Sequence, residues 1–177
     1  KYRDRVCTFN DDIQGTAAVV LSGIWSAMAL KGEDLMAQKF LFYGAGSAGV
    51  GIADLIVAAL VHNGMDESEA RGLICLLDSK GLVVKSRIDE LDDFKRPYAH
   101  DLEFVGDLHT AVERIKPSVL IGVSGQGGSF TPDILQTMAD INTGEKARPL
   151  IMALSNPTTK AECTAEEAYK HTQGRAI

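Results

Sequence analysis

Four short apolar runs are spaced along the chain, and longer segments of helical composition separate them. The runs lie at 39–43, 73–77, 118–123 and 150–154, and they are apolar throughout except for Lys39 and Ser118 at the start of two of them. Strands with this pattern are buried on both faces, as in a parallel sheet that crossover helices cover on both sides. The alternation therefore predicts an α/β fold, with a Rossmann-like, doubly wound, mostly parallel sheet and helices on both faces.

The first predicted helix, 14–31, is apolar nearly all round, and Gly32 follows it as a C-terminal stop. We expect this helix to be buried on most sides, with Trp25 in the core. It falls short of the roughly 18 consecutive apolar residues of a membrane span, and no membrane association is expected. The interrupting polar or small residues are Thr16, Ser22, Gly23 and Ser26.

Local signals mark the other helices. A helix at 48–61 follows the first strand, and the polar stretches 62–71 and 87–103 are interpreted as surface connections. The remaining helices have start signals, which are Asp107, the pair Thr131 and Pro132, and a capping box formed by Thr164 and Glu167. The helices and strands therefore alternate in a clear order.

The chain has the size and composition of one globular domain. Its 177 residues slightly exceed an average domain, and 45% of them are hydrophobic. We expect a leading segment and helix at 1–32 and a Rossmann-like core at 39–177. The 18 basic and 24 acidic residues give a net charge of −6, so no nucleic-acid partner is expected. The three cysteines form no CxxC pair, which indicates neither a disulfide scaffold nor a zinc site.

A glycine-rich turn connects the first predicted strand to the helix that follows it. The pattern G-x-G-x-x-G is formed by Gly44, Ala45, Gly46, Ser47, Ala48 and Gly49. In this context the first glycine permits a tight turn, the second lets backbone approach a pyrophosphate, and the third lets the helix pack closely on its strand. We therefore predict a dinucleotide site, with a glycine turn that binds no ligand as the alternative.

An acidic side chain is expected about 20 residues after the glycines, where it would bind the ribose hydroxyls. Asp78 ends the second predicted strand, although it lies 29 positions after Gly49. Asp66 has the better spacing, but it lies in a polar surface stretch. We therefore favour Asp78 as the ribose ligand.

Basic residues gather after Asp78 in a chain that is acidic overall. Such cations would neutralise a 2′-phosphate, so the group favours NADP over NAD. A solvated loop face is the alternative for any single lysine. Together with Ser79, the group consists of Lys80, Lys85, Arg87, Lys95 and Arg96.

Two further strands end in polar or glycine-rich segments, at the carboxyl edge where open sheets bind ligands. Val123, Ser124 and Gly125 belong to the first segment, which we expect to line the nicotinamide side. Ser155 and Asn156 follow the last strand, and Asn156 offers both a donor and an acceptor. A flexible turn and a plain Asn-Pro turn are the respective alternatives.

Two adjacent aspartates, Asp11 and Asp12, precede the first helix, where a helix cap and a first-turn acid are the simplest interpretation. The surrounding sequence indicates a more specific role. The string CTFNDDIQGTA at 7–17, together with ALSNPT at 153–158 and AECTAEEAY at 161–169, closely resembles malic enzyme. The resemblance covers essentially the whole chain, in the order of the family.

The resemblance implies the NAD(P)-binding domain of an enzyme that oxidatively decarboxylates L-malate to pyruvate and carbon dioxide. The reaction reduces NADP or NAD and requires a divalent metal, Mg or Mn. By position, Asp12 matches a metal ligand, Asp11 an aspartate that supports the catalytic lysine, and Asn156 a malate-binding asparagine. NADP-preferring members resemble the sequence at 78–80 and have a lysine at the position of Lys95, so NADP is expected.

In the family, the remaining metal carboxylates and the catalytic lysine and tyrosine lie upstream of this segment. We therefore expect an upstream substrate domain outside the chain, and no activity from the chain alone. The resemblance also implies a homodimer or homotetramer. The cytoplasm is the default compartment, with mitochondria or plastids as alternatives. The competing functions are a dinucleotide-binding redox sensor without catalysis and the cofactor domain of an amino-acid dehydrogenase.

Overall fold

The computed structural model describes residues 5–144 and 147–177, so the first four residues of the predicted leading segment lie outside the described part. One sheet contains five strands: β1 Phe40–Tyr43, β2 Ile74–Asp78, β3 Gly81–Leu82, β4 Val119–Gly122 and β5 Leu150–Ala153. The α-helices of the described part are α1 Thr16–Lys31, α2 Ser47–His62, α3 Glu67–Gly72, α4 Leu108–Ile115, α5 Pro132–Ile141 and α6 Ala165–His171.

The strand order across the sheet is β3-β2-β1-β4-β5. Neighbouring strands run parallel, except that β3 pairs antiparallel with β2. The chain winds outward from β1 to β3 and then returns to the other side of β1 to form β4. The winding direction therefore switches between β1 and β4, which is where open α/β sheets bind their ligands. The predicted doubly wound, mostly parallel sheet is confirmed.

Alternate residues of each strand pack into two separate cores. Phe42, Leu76 and Ile121 belong to the core that α1 and α2 cover. Leu41 and Leu77 belong to the core that α4 and α5 cover. Because both sheet faces are buried, these strands need the continuous apolar runs by which the sequence predicts them.

The polar stretches interpreted as surface connections contain more structure than expected. The first contains α3, and the second contains Tyr98, whose side chain is fully buried. The Tyr98 hydroxyl donates a hydrogen bond to Asp54 Oδ1 at 2.6 Å. Burial, followed by the hydrogen bond to Asp54, raises the pKa of Tyr98. A single buried aromatic residue among charged neighbours gives no periodic pattern, so the sequence did not reveal that Tyr98 is buried.

The expectation that α1 is buried on most sides is wrong. One face packs, through Ile24 and Ala27, into the core shared with α2. Val19 and Leu30 are largely exposed, and Trp25 is 46% exposed instead of lying in the core. Apolar residues lie on all sides of this helix, so its sequence does not single out the face that packs.

The continuous helical segment Asp11–Lys31 is long and apolar enough to cross a membrane, by length and composition only. Its mean hydropathy reaches 1.5 over 18 residues. The polar and small residues within it therefore exclude a membrane span less firmly than the sequence suggested. The segment nevertheless packs on the sheet: a Cβ at Gly23 would lie 3.2 Å from the Met152 methyl group on β5. Within the described part, α1 is a covering helix of the domain.

Leu76→Ala tests the contribution of the doubly covered sheet. Leu76 is fully buried in β2, so removing its side-chain methyl groups should lower the free energy of unfolding by about 2–5 kcal/mol. Urea denaturation measures this change. Leu30→Ala removes the same atoms from the exposed face of α1 and should change the unfolding free energy by less than about 0.5 kcal/mol. Equal effects of the two substitutions would contradict the assignment of the core.

Candidate functional site

The glycine turn lies at the switch between β1 and β4. Gly44 follows β1 with a φ of 114°, a conformation that favours glycine. A Cβ at Gly44 would lie 2.5 Å from the carbonyl oxygen of Val123, and a Cβ at Gly49 would lie 2.5 Å from the carbonyl oxygen of Gly44. Both positions therefore need glycine because backbone segments approach each other closely there.

Gly46 has a different environment, because a Cβ there would meet no described heavy atom within 4 Å. Gly46 and Ser47 are exposed, whereas Ala45 is buried in the core. Gly46 also caps the N-terminus of α2, and no described side chain accepts a hydrogen bond from this end of the helix. The N–H groups of the first turn, which includes Ala48, are therefore available to an anion at the positive end of the helix dipole.

The segments after β4 and β5 meet beside the glycine turn. The N–H of Val123 donates to the carbonyl oxygen of Tyr43 at 2.8 Å, which extends the pairing of β1 with β4. The N–H of Gly125 donates to Ser155 Oγ at 2.8 Å. Asn156 follows with an exposed side chain. The structure thus brings the predicted nicotinamide-side residues to one edge.

Glu162 links these two segments and was not singled out from the sequence. Its side chain is fully buried. Its Oε1 accepts hydrogen bonds from the N–H of Ser124 at 2.9 Å, from Ser124 Oγ at 2.7 Å and from Ser155 Oγ at 2.6 Å. Its Oε2 accepts from the N–H of Ser155 at 3.3 Å. A buried carboxylate is tolerated when its oxygens are satisfied in this way.

The neighbours of Glu162 reflect its size and charge. Gly122 ends β4 directly against the Glu162 side chain, so a Cβ at Gly122 would overlap it. Burial, and then the negative charge of Glu162, raise the pKa of Tyr43. The Tyr43 hydroxyl donates to Gln126 Oε1 at 3.1 Å. The sequence showed Glu162 only as one of several acids in a polar string, which gave no sign of its burial.

Asp78 lies at the carboxyl end of β2 in an ion-pair cluster. Its two carboxylate oxygens each accept a hydrogen bond from Arg87 Nη2 at 3.0 Å, and Lys95 Nζ lies 3.9 Å from Oδ2. Arg87 Nη1 also donates to the carbonyl oxygens of Gly81 and Leu82 at 3.0 and 2.9 Å. Arg87 therefore neutralises Asp78 and holds β3 in place.

The predicted basic group is divided by the fold. Ser79 and Lys80 are exposed next to Asp78, and Lys80 Nζ lies 3.3 Å from Glu90. Lys85 instead lines a separate cleft of about 570 Å³, and Arg96 pairs with a neighbouring aspartate at 2.9 Å. The basic residues therefore do not form the single cluster that the sequence suggested. They lie in separate places, and several of them pair with acidic side chains.

The alternative ribose ligand, Asp66, has a structural role. It is the N-cap of α3, and its Oδ1 accepts hydrogen bonds from the N–H groups of Ser68 at 2.7 Å and Glu69 at 3.4 Å. Its role as a helix cap accounts for an aspartate at this position without any bound ligand.

The paired aspartates lie in a π-helical turn, Asp11–Gly15, that leads into α1. Asn10, and neither aspartate, is the N-cap, since its Oδ1 accepts from the N–H of Ile13 at 3.1 Å. Asp11 and Asp12 are both exposed. A Cβ at Gly51 would lie 2.5 Å from Ile13 Cγ2, so this turn packs beside the N-terminal half of α2. The aspartates therefore lie near the end of α2 that follows the glycine turn.

The described residues do not by themselves fit a Mg or Mn centre. They contain no group of three or more His, Cys, Asp or Glu side chains that could hold a metal ion. Asp12 would supply a single carboxylate, whereas such ions take about six oxygen ligands. A complete metal site would need ligands from outside the described residues.

The two clefts that the structure describes lie away from the glycine turn. A cleft of about 340 Å³ lies at the other end of the sheet, where Lys39, Leu73 and Cys75 line it. Burial raises the pKa of the Cys75 thiol to about 11, so this cysteine is a poor nucleophile. Neither this cleft nor the one beside Lys85 includes a residue of the glycine turn.

The switch position, the glycine turn and the uncapped α2 N-terminus together define a dinucleotide-binding domain of the Rossmann class. Comparison with known families matches residues 13–177 to "Malic enzyme, NAD binding domain". The chain therefore belongs to the malic enzyme family, as the sequence motifs predicted, and the amino-acid dehydrogenase alternative is wrong.

Curated relatives and solved structures agree with this assignment. Over its whole length the chain is 56% identical to NADP-dependent malic enzyme 1 of Arabidopsis thaliana and 51% identical to NADP-dependent malic enzyme of Rattus norvegicus. It spans 30% of the length of each. The malic enzyme structure from Entamoeba histolytica matches with a TM-score of 0.72 at 26% identity, over 96% of this chain and 33% of that one. The NAD-dependent malic enzyme of Thermotoga maritima matches with a TM-score of 0.68 at 28% identity, over 92% and 38%.

The glycines of the turn should differ in what they contribute to stability. Gly49→Ala forces a Cβ against backbone and should lower the free energy of unfolding by about 1–3 kcal/mol. Gly46→Ala places its Cβ in open space at a φ of −78° and should change that free energy by less than about 0.5 kcal/mol. Thermal and urea denaturation of both variants check this. A Gly46 variant as unstable as the Gly49 variant would contradict the assignment of Gly46 to ligand approach.

Proposed function

We propose that this chain binds NADP as the cofactor domain of a malic enzyme, which oxidatively decarboxylates L-malate to pyruvate and carbon dioxide. The observation that carries the proposal is the open glycine turn at the β1/β4 switch. Two of its glycines are needed by packing, and the third, Gly46, faces free space. The NADP-dependent relatives support the choice of enzyme.

The residues of the edge fit an extended dinucleotide. The first-turn N–H groups at 46–49 would hold the pyrophosphate. Asp78 and Ser79 would hold the adenosine ribose, and the segments 123–125 and 155–156 would line the nicotinamide side. When bound, the cofactor accepts the hydride that malate loses. The chain's own contribution is to hold the ring in one orientation.

The surroundings of Asp78 favour NADP over NAD. An unpaired carboxylate at this position would repel a 2′-phosphate, but Arg87 offsets the charge of Asp78. Lys95 Nζ also lies 3.9 Å from Asp78, while it pairs with Asp92 at 2.8 Å. Ser79 is exposed beside Asp78 and is available to phosphate oxygens. Lys80 is also exposed, and its surface ion pair with Glu90 is weak enough to be exchanged for a phosphate. NAD is the alternative cofactor.

This chain would supply only some of the residues that bind the substrate and the metal. Asn156 would contact malate, Asp12 would contribute one ligand to Mg or Mn, and Asp11 would support a catalytic lysine elsewhere in the enzyme. For the full-length enzyme we propose a homodimer or homotetramer in the cytoplasm. Mitochondria or plastids are the alternatives, and some relatives are named as chloroplastic.

Parallel titrations with NADP and NAD test the cofactor assignment. Phosphate contacts worth about 1–3 kcal/mol would make NADP bind about 5- to 150-fold more tightly. Rising salt should reduce that margin, since it screens exposed charges. Lys95→Ala should narrow the margin as well, whereas Lys170→Ala, at an exposed position on α6, should leave it unchanged. Equal binding of both cofactors would overturn the choice of NADP, and binding of neither would overturn the dinucleotide site.

The purified 177-residue chain should not turn over malate with NADP and Mn²⁺. The described residues contain no complete metal-binding group, so they cannot hold the ion by themselves. A spectrophotometric assay of NADPH formation measures this. Turnover above the rate without protein would refute the expectation.

A further inference from the structure

Two serine hydroxyls connect the ligand-side loops to the buried carboxylate of Glu162. Ser155 Oγ accepts a hydrogen bond from the N–H of Gly125 at 2.8 Å and donates to Glu162 Oε1 at 2.6 Å. Ser124 Oγ accepts from the N–H of Gln126 at 3.1 Å and donates to the same oxygen at 2.7 Å. Each relay runs from a loop N–H through a hydroxyl to the carboxylate. One side chain thereby sets the direction of both hydroxyls and the separation of both loops.

The negative charge of Glu162 has no cationic partner in the described residues. The groups that donate to it are two backbone N–H groups and two hydroxyls. No described Lys, Arg or His forms an ion pair with it. Charges act further through a buried environment than through water. Glu162 packs against Gly122, the residue of β4 that pairs with Tyr43 at the end of β1, so the charge lies close to the carboxyl edge of the sheet.

We propose that Glu162 is a positioning residue that holds the segments at 124–125 and 155, and that its uncompensated charge makes the site prefer the oxidised cofactor. The oxidised nicotinamide ring is a cation, and the reduced ring is neutral. A negative charge at the edge that holds the ring would therefore stabilise the oxidised form more than the reduced form. The inference rests on the proposed function, since it needs the nicotinamide ring at this edge.

The test compares the affinities of NADP⁺ and NADPH for the wild-type chain and for Glu162→Gln, by fluorescence or calorimetric titration. Glutamine keeps an acceptor for the serine hydroxyls but removes the charge and turns an NH₂ group toward the N–H of Ser155. NADP⁺ should bind more weakly, and the ratio of NADP⁺ to NADPH affinity should fall by about 3- to 30-fold. A merely structural role would weaken both forms by the same factor.

Two further variants complete the test. Glu166→Gln removes an exposed acid from α6 and should leave both affinities unchanged. Ser124→Ala keeps the carboxylate but breaks one relay, so it should weaken both forms equally and leave their ratio unchanged. Ser124→Ala keeps the proposal testable if Glu162→Gln does not fold, because unchanged affinities in that variant would overturn the positioning role.

The outcomes separate this inference from the proposed function. If the wild-type chain binds neither form, the dinucleotide site itself fails. If the wild-type chain binds and Glu162→Gln keeps the wild-type ratio, the dinucleotide site stands and the role of the Glu162 charge is overturned. A fall in the ratio that is confined to Glu162→Gln supports the proposal.

Discussion

The close approach of three backbone segments at the β1/β4 switch is the constraint on which the site depends. Gly44 and Gly49 have no room for a side chain, because carbonyl oxygens of Val123 and Gly44 lie where their Cβ atoms would be. This contact sets the height of α2 above the sheet and the position of the loop after β4. The N-terminus of α2 lies at the carboxyl edge of the sheet because the glycines allow the helix to start so close to its strand.

Two polar clusters complete the edge at either side of that contact, and each is built around one carboxylate. On the β2 side, Asp78 is held by Arg87 and Lys95. On the β5 side, Glu162 is held by neutral donors. The first carboxylate is balanced by cations and the second is not. The two sides of the edge are therefore electrostatically different, which suits the proposed dinucleotide, whose 2′-phosphate and cationic nicotinamide ring carry opposite charges.

The sequence predicted the parts of this architecture that depend on continuous patterns. The four parallel strands are visible because burial on both faces demands uninterrupted apolar runs, and the glycine turn is visible because its position after β1 gives it meaning. Trp25 and Glu162 show the limit of such patterns. Trp25 lies on a helix that is apolar all round, so only packing decides which side is covered. Glu162 is one acid among several, and its burial depends on hydroxyl partners that lie far away in sequence, at 124, or on another loop, at 155.

Arg87 links the charge around Asp78 to the integrity of the sheet edge. The same guanidinium that offsets Asp78 also carries the hydrogen bonds to the carbonyl groups of Gly81 and Leu82, which hold the two-residue strand β3 against the domain. A substitution at Arg87 would thus leave Asp78 without its main cationic partner and loosen the edge strand at the same time. The side-chain amines of Lys80 and Lys95 form ion pairs with carboxylates only, Lys80 with Glu90 and Lys95 with Asp78 and Asp92. Among the described contacts, these lysines can therefore be replaced without breaking the hydrogen bonds that hold β3, whereas the arginine cannot.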